Sequence, residues 1–125
     1  MGKPVSSKVE RVETTVLNTK INKEVYENFK DCCAYLGYPM NVLLETFMQQ
    51  YIDGKFNLSN EEIIRWKKDD SEMDVLNTTF NKEVYTNFKS YCKGNGYFVK
   101  HVVTAFMESY TNKKFILEFV EVKED

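Results

Sequence analysis

The chain has 125 residues, 42% of them hydrophobic and 29% charged, with a net charge of −2, three cysteines and one histidine. That balance fits a folded domain rather than a disordered tail, and no apolar run approaches the roughly 20 residues that a membrane-spanning helix needs. The N-terminus has no apolar leader stretch, Met1 to Ser6 fits only a loose myristoylation pattern, and Cys32, Cys33 and Cys92 lack metal-ligand spacing, so a cytoplasmic protein with reduced core thiols is expected.

Residues 1–15 form an N-terminal arm with Lys3, Lys8 and Arg11. A strand is expected next, over Val16 to Ile21, because β-branched residues alternate there. Leu17, Thr19 and Ile21 then share one face, and Val16, Asn18 and Lys20 share the other. Asn22 suits a helix N-cap, with Glu24 in the first turn where the helix dipole favours a negative charge. Val25, Phe29, Cys32, Cys33 and Leu36 follow at helical spacing, and Gly37 can take the left-handed conformation that ends a helix. A second helix is expected from Pro39 and Met40, with an apolar stripe of Met40, Leu43, Leu44, Phe47, Met48, Tyr51 and Ile52. This first unit closes at residue 58.

The linker, 59–74, is not a plain spacer. Ser59 and Glu62 make a capping box ahead of Ile63, Ile64 and Trp66, so a short helix is expected before the polar run Lys67 to Asp74, with Trp66 packed on the body.

From Val75 the chain repeats itself. "VLNTKINKEVYENFK" at Val16 returns as "VLNTTFNKEVYTNFK" at Val75, an offset of 59 positions that continues without a gap to Leu58 and Leu117. Internal repetition of this kind outranks any local signal. The second unit, 75–117, therefore carries the same strand, with Leu76, Thr78 and Phe80 inward and Val75, Asn77 and Thr79 outward. Its helices carry Val84, Phe88 and Cys92, then Val99, Val102, Val103, Phe106, Met107 and Tyr110. The tail, 118–125, is acidic. The stretch Phe115 to Val122 has the β-branched and aromatic content of an added strand, a hydrophobic cover or a self-association surface.

One strand on two helices has an unpaired edge and too little core to stand alone. The second copy supplies the missing strand, so an antiparallel two-stranded ribbon over four helices is expected, with the chain carrying its own dimer partner.

In this order of strand, "NKEV" helix start, glycine stop and second amphipathic helix, the chain resembles the ribbon-helix-helix DNA-binding family of the Arc, MetJ and CopG repressors. The resemblance covers both copies, roughly two-thirds of the chain. A chain with two fused copies is similar to the conjugation accessory protein TraY. The resemblance implies a mainly α fold with a short antiparallel two-stranded ribbon: a tandem ribbon-helix-helix forming an intramolecular pseudo-dimer. It also implies sequence-specific binding of double-stranded DNA, with the ribbon in the major groove, by a transcriptional repressor or a plasmid or phage accessory factor.

Carried over by position, Val16, Asn18, Lys20, Val75, Asn77 and Thr79 would contact bases. Asparagine suits an adenine edge, lysine suits guanine acceptors, and threonine or valine suits a thymine methyl. Backbone N–H groups of Met40, Asn41, Val99 and Lys100, at the starts of the second helices, would contact phosphates. The family often has an arginine near the end of the strand, where this chain has Lys20 and Thr79. Because the two copies differ there, Lys20 against Thr79, an asymmetric core site is expected. Self-association on adjacent sites is a further family trait.

The charge distribution allows this reading. Residues 75–117 carry six lysines against two acids, residues 16–58 carry four against five, and the arm is +1, whereas linker and tail are each −3. A partly basic body with few phosphate contacts implies modest nonspecific affinity. His101 alone, with no Gly-rich loop, metal-ligand cluster or nucleophile arrangement, gives no basis for an enzyme, a cofactor or a small-molecule ligand. The alternative is a protein-binding adaptor or antitoxin-like module that keeps the fold without DNA readout.

Overall fold

A computed structural model describes residues 13–112. Strand β1 (Thr14–Asn22) leads into α1 (Lys23–Leu36) and α2 (Met40–Ile52). A connecting segment holds α3 (Asn60–Ile64) and a 3-10 turn (Arg65–Lys68). Strand β2 (Met73–Asn81), α4 (Lys82–Gly94) and α5 (Val99–Thr111) complete the described chain. The protein is mainly helical, with five α-helices and one two-stranded antiparallel sheet among the described residues. Each strand begins two residues before the expected Val16 or Val75, so Thr14 and Thr15 belong to the ribbon rather than to the arm. The stretch Phe115 to Val122 lies outside the described residues.

The strand register is defined by the repeat. Asn18 pairs with Asn77, Lys20 with Val75 and Val16 with Thr79. Asn18 and Asn77 occupy the same position of the two copies, so the ribbon is centred on that pair. Alternation then sends Leu17, Ile21, Leu76 and Phe80 into the core and leaves Val16, Asn18, Lys20, Val75, Asn77 and Thr79 exposed. A slip by one residue would bury the polar set, which is what holds this register in place.

Below the ribbon, α1 packs on α5, and α2 packs on α4. Phe47 and Phe106, again the same position of each copy, stack face to face with centroids 4.0 Å apart and planes 12° from parallel. Phe29, Phe88 and Phe56 meet this stack edge-on, at 5.7, 5.7 and 5.2 Å respectively. The predicted stripes of α2 and α5 are buried or half-buried as expected. In α1, however, Leu36 is 44% exposed. It is the last residue of the helix, and the chain turns away at Gly37. Cys32 is only half-buried, whereas Tyr26 and Tyr85, absent from the expected stripes, are buried with Lys30 and Lys89 over their rings at 4.5 and 5.5 Å. A tyrosine can bury its ring while its polar tip stays near the surface, so a purely apolar stripe misses it.

Local signals at the helix ends act as expected. Asn22 Oδ1 accepts from the Val25 N–H at 2.9 Å, and Asn81 Oδ1 accepts from the Val84 N–H at 3.1 Å. Gly37 and Gly96 both take positive φ, 79° and 82°, and the next N–H groups, Tyr38 and Tyr97, donate back to Cys33 and Cys92. Asn22 also donates from Nδ2 to Asp69 at 3.1 Å. Replacing an Asn cap with Ala costs about 1 kcal/mol. Asn22→Ala is therefore expected to destabilise more than Asn81→Ala, because it also releases Asp69; urea melts of the two variants check the order.

The connecting segment is pinned to the body. The Ser59 N–H donates to Glu62 Oε1 at 2.8 Å, and the Glu62 N–H donates to Ser59 Oγ at 3.1 Å, completing the capping box. Ile63 and Trp66 are buried, Arg65 pairs with Glu108 at 2.8 Å, and Tyr97 Oη donates to Asn60 Oδ1 at 2.7 Å. Where one short helix was expected, the chain makes α3 and then tightens into the 3-10 turn, which brings Trp66 onto the core. The Trp66 indole N–H is buried without a hydrogen-bond partner, and the Arg65 guanidinium lies over its ring at 4.6 Å.

Candidate nucleic-acid interface

The exposed ribbon face is three cross-strand pairs long at the expected contact positions: Val16 with Thr79, Asn18 with Asn77, and Lys20 with Val75. Thr14 and Met73 extend it at the two ends, the latter 37% exposed. Val16 and Val75 are 54% and 46% exposed, which is unusual for β-branched apolar residues facing water on both sides of a polar pair. Such a face offers two amide groups able to donate and accept at its centre, and methyl groups beside them.

Both ends of the ribbon are anchored by a contact the sequence reading missed. The Lys23 N–H donates to the Glu72 carbonyl and the Lys82 N–H to the Glu13 carbonyl, each at 2.9 Å, and the same residues form ion pairs at 3.5 and 3.7 Å. Glu13 and Glu72 are themselves 59 residues apart. Extending the repeat three residues upstream of Val16 and Val75 would have found them.

The second helices begin beside the ribbon, because α2 packs on β2 and α5 on β1. Pro39 and Phe98 precede them in extended conformation, and neither helix has a side-chain cap, unlike α1, α3 and α4. The first amides to donate within the helices are Val42 to Pro39 and His101 to Phe98, both at 3.1 Å. The N–H groups of Met40 and Asn41, and of Val99 and Lys100, precede these and are oriented to donate outward. Asn41 and Lys100 are exposed, whereas Met40 and Val99 are half-buried. Their side chains join the core, which leaves only their backbone for a ligand. An oxyanion suits such amides, since two unpaired donors and the helix dipole act together.

His101 sits just behind, 7% exposed and edge-on to Phe98 with centroids 5.5 Å apart. Burial, and then the neighbouring Lys100 and Lys67 charges, hold its imidazole below the ordinary histidine value of 6.5. In the unfolded chain it would protonate near that value, so the folded state binds fewer protons below it and loses stability as pH falls. His101→Val, which copies Val42 of the first unit, is expected to flatten the fall in stability below about pH 6.5. Denaturation midpoints of the two proteins between pH 5 and 8 check this.

The buried thiols offer no chemistry in this setting. Burial pushes Cys92 up to about 12, and burial with the adjacent Cys32 pushes Cys33 up to about 11. Neither is a thiolate at neutral pH, so both act as core volume. Among the described residues no group of three or more His, Cys, Asp or Glu side chains could hold a metal ion, and no helix is long and apolar enough to cross a membrane.

No protein-family model, curated protein or solved structure matches the chain.

Proposed function

We propose that the chain is a tandem ribbon-helix-helix unit, an intramolecular pseudo-dimer, that binds double-stranded DNA in a sequence-specific manner through the major groove. The observation that carries the reading is the ribbon itself. Asn18 and Asn77 face each other at its centre, flanked on the same exposed face by Val16, Thr79, Lys20 and Val75. A two-stranded ribbon fits the major groove, where asparagine can make paired hydrogen bonds to adenine and valine or threonine can meet the thymine methyl. The self-paired register and the Phe47–Phe106 stack, each joining equivalent positions, support the pseudo-dimer. The uncapped amides of Met40, Asn41, Val99 and Lys100 flank the ribbon and suit phosphate contacts that set the docking angle.

The biological role is that of a cytoplasmic transcriptional regulator or a plasmid or phage DNA accessory factor. Selection of bound duplexes from a random pool, at low and at physiological salt, tests the reading. A short asymmetric motif is the expected product. A folded protein that enriches no sequence at either salt would refute it.

A second reading, a protein-binding module, draws on the apolar residues around the turn from α1 to α2. Tyr35 is 89% exposed there, with Tyr38 and Val42 beside it. Under the DNA reading the same patch serves self-association on adjacent sites. Sedimentation with and without DNA separates the two, since self-association on sites requires the duplex.

A further inference from the structure

We propose that the linker turn is part of the DNA-binding surface: Lys67 joins Lys20 and Lys100 at one end of the ribbon to hold the phosphates of one half-site, giving the protein a fixed polarity on its duplex. The inference rests on the DNA reading above and adds to it a partner for the linker and a direction of binding.

Three separate elements supply the cations. Lys20 comes from the end of β1, Lys67 from the 3-10 turn and Lys100 from the first turn of α5. All three line one small cleft of about 60 Å³, together with Asn22, Trp66, Asp69, Met73, His101 and Thr104. Lys20, Lys67 and Lys100 are all exposed, and Asp69 is the one carboxylate among the lining residues. Asp69 accepts from Asn22 and from the Ser71 N–H at 3.1 and 3.2 Å, so part of its acceptor capacity is already used. His101 lines the same cleft, and its imidazole is held below the ordinary value by burial first and then by the Lys100 and Lys67 charges. Like charges gathered at one end repel each other, and a polyanion relieves that repulsion.

The linker can hold Lys67 there because it does not float. Trp66, the residue before Lys67, is buried, and Arg65 is tied to Glu108 on α5 at 2.8 Å. Glu62 accepts from Ser109 Oγ of the same helix at 3.3 Å. Lys67 is therefore placed by the body that carries Lys100.

Among the described residues, the opposite end of the ribbon lacks this arrangement. Position for position, Lys20, Lys100, His101 and Thr104 correspond to Thr79, Asn41, Val42 and Glu45. Glu45 accepts from the Asn81 N–H at 2.6 Å, so a carboxylate is fixed beside the end where its counterpart is a threonine. Phosphate oxygens meet three lysines at one end and an acid at the other. The sequence counterpart of Lys67 is Lys8, outside the described residues, and it serves as a control in the test.

The test uses the full chain and the duplex obtained by selection, with affinity read by fluorescence anisotropy between about 50 and 200 mM salt. Lys67→Gln and Lys100→Gln are each expected to lower the slope of log affinity against log salt by roughly 1, and the double variant by roughly 2. Lys8→Gln is expected to change it less than Lys67→Gln. Neutral methylphosphonate linkages, placed on one flank of the site at a time, are expected to weaken wild-type binding on one flank only and to lose that effect in the double variant. Equal weakening from both flanks, an unchanged slope for Lys67→Gln, or an equal loss from Lys8→Gln would overturn the polarity. If wild-type protein binds no duplex at low salt, the DNA reading itself falls, and the inference falls with it.

Discussion

Phe47→Ala is expected to remove a large part of the stability of the fold, about 3 to 5 kcal/mol, and Phe106→Ala to do nearly the same. Each ring is fully buried, and the two lie against each other at 4.0 Å with further aromatic rings around them. Truncating a buried phenylalanine costs about 3 to 5 kcal/mol, because the lost transfer energy is joined by the cavity left behind. A domain of this size has only about 5 to 15 kcal/mol of stability in total. The stack also joins the two units: Phe47 belongs to the first and Phe106 to the second, so its loss weakens the packing between them. Urea denaturation followed by far-UV circular dichroism reads the outcome. Because the rings share one contact, the double variant is expected to lose less than the two single losses combined. Full additivity would mean that the rings act independently and that the stack is not the joint.

The second large effect concerns recognition and leaves the fold alone. Asn18→Ala with Asn77→Ala is expected to lower affinity for the selected duplex by about 10- to 100-fold per side chain, the discrimination of about 1 to 3 kcal/mol that a bidentate base contact supplies. Both side chains are exposed and make no hydrogen bond that the fold depends on, so the melting curve is expected to move by no more than about 0.5 kcal/mol. The pair sits at the centre of the ribbon, where both half-sites meet, so its loss relaxes specificity at the middle of the motif rather than at one end. Affinity and melting measured on the same preparation separate the readings. An unchanged affinity refutes readout by this pair, and a large fall in stability makes the pair structural instead.

Much of the fold was legible before any coordinates. The offset of 59 positions set the two strands and four of the helices. Period-2 alternation chose the inward face of each strand, and Asn22, Ser59 with Glu62, and Gly37 marked where helices begin and end; Asn81 and Gly96 hold the equivalent places in the second copy. These are local matters: a capping side chain reaches three residues along the chain, and a strand residue's face follows from its neighbours. The candidate contact residues were legible for the same reason, since Val16, Asn18, Lys20, Val75, Asn77 and Thr79 are the outward members of that alternation.

What lay between distant residues was decided only by the tertiary structure. Nothing local places Glu72 on Lys23 or Glu13 on Lys82, because each glutamate precedes one strand and its lysine follows the other, so they meet only once the ribbon has its register. Tyr26 and Tyr85 are buried, and Tyr85 stacks on Phe80 of β2 with centroids 5.9 Å apart, which a stripe of apolar letters does not encode. Leu36, 44% exposed, stays outside at the last position of α1, where the chain turns at Gly37. Lys67 reads as one more charge in a polar run until Trp66 docks and carries it to Lys20 and Lys100. Chain-local preference reaches about one turn of helix or one pleat of strand, and the convergence of charges from three elements is set by how the core packs.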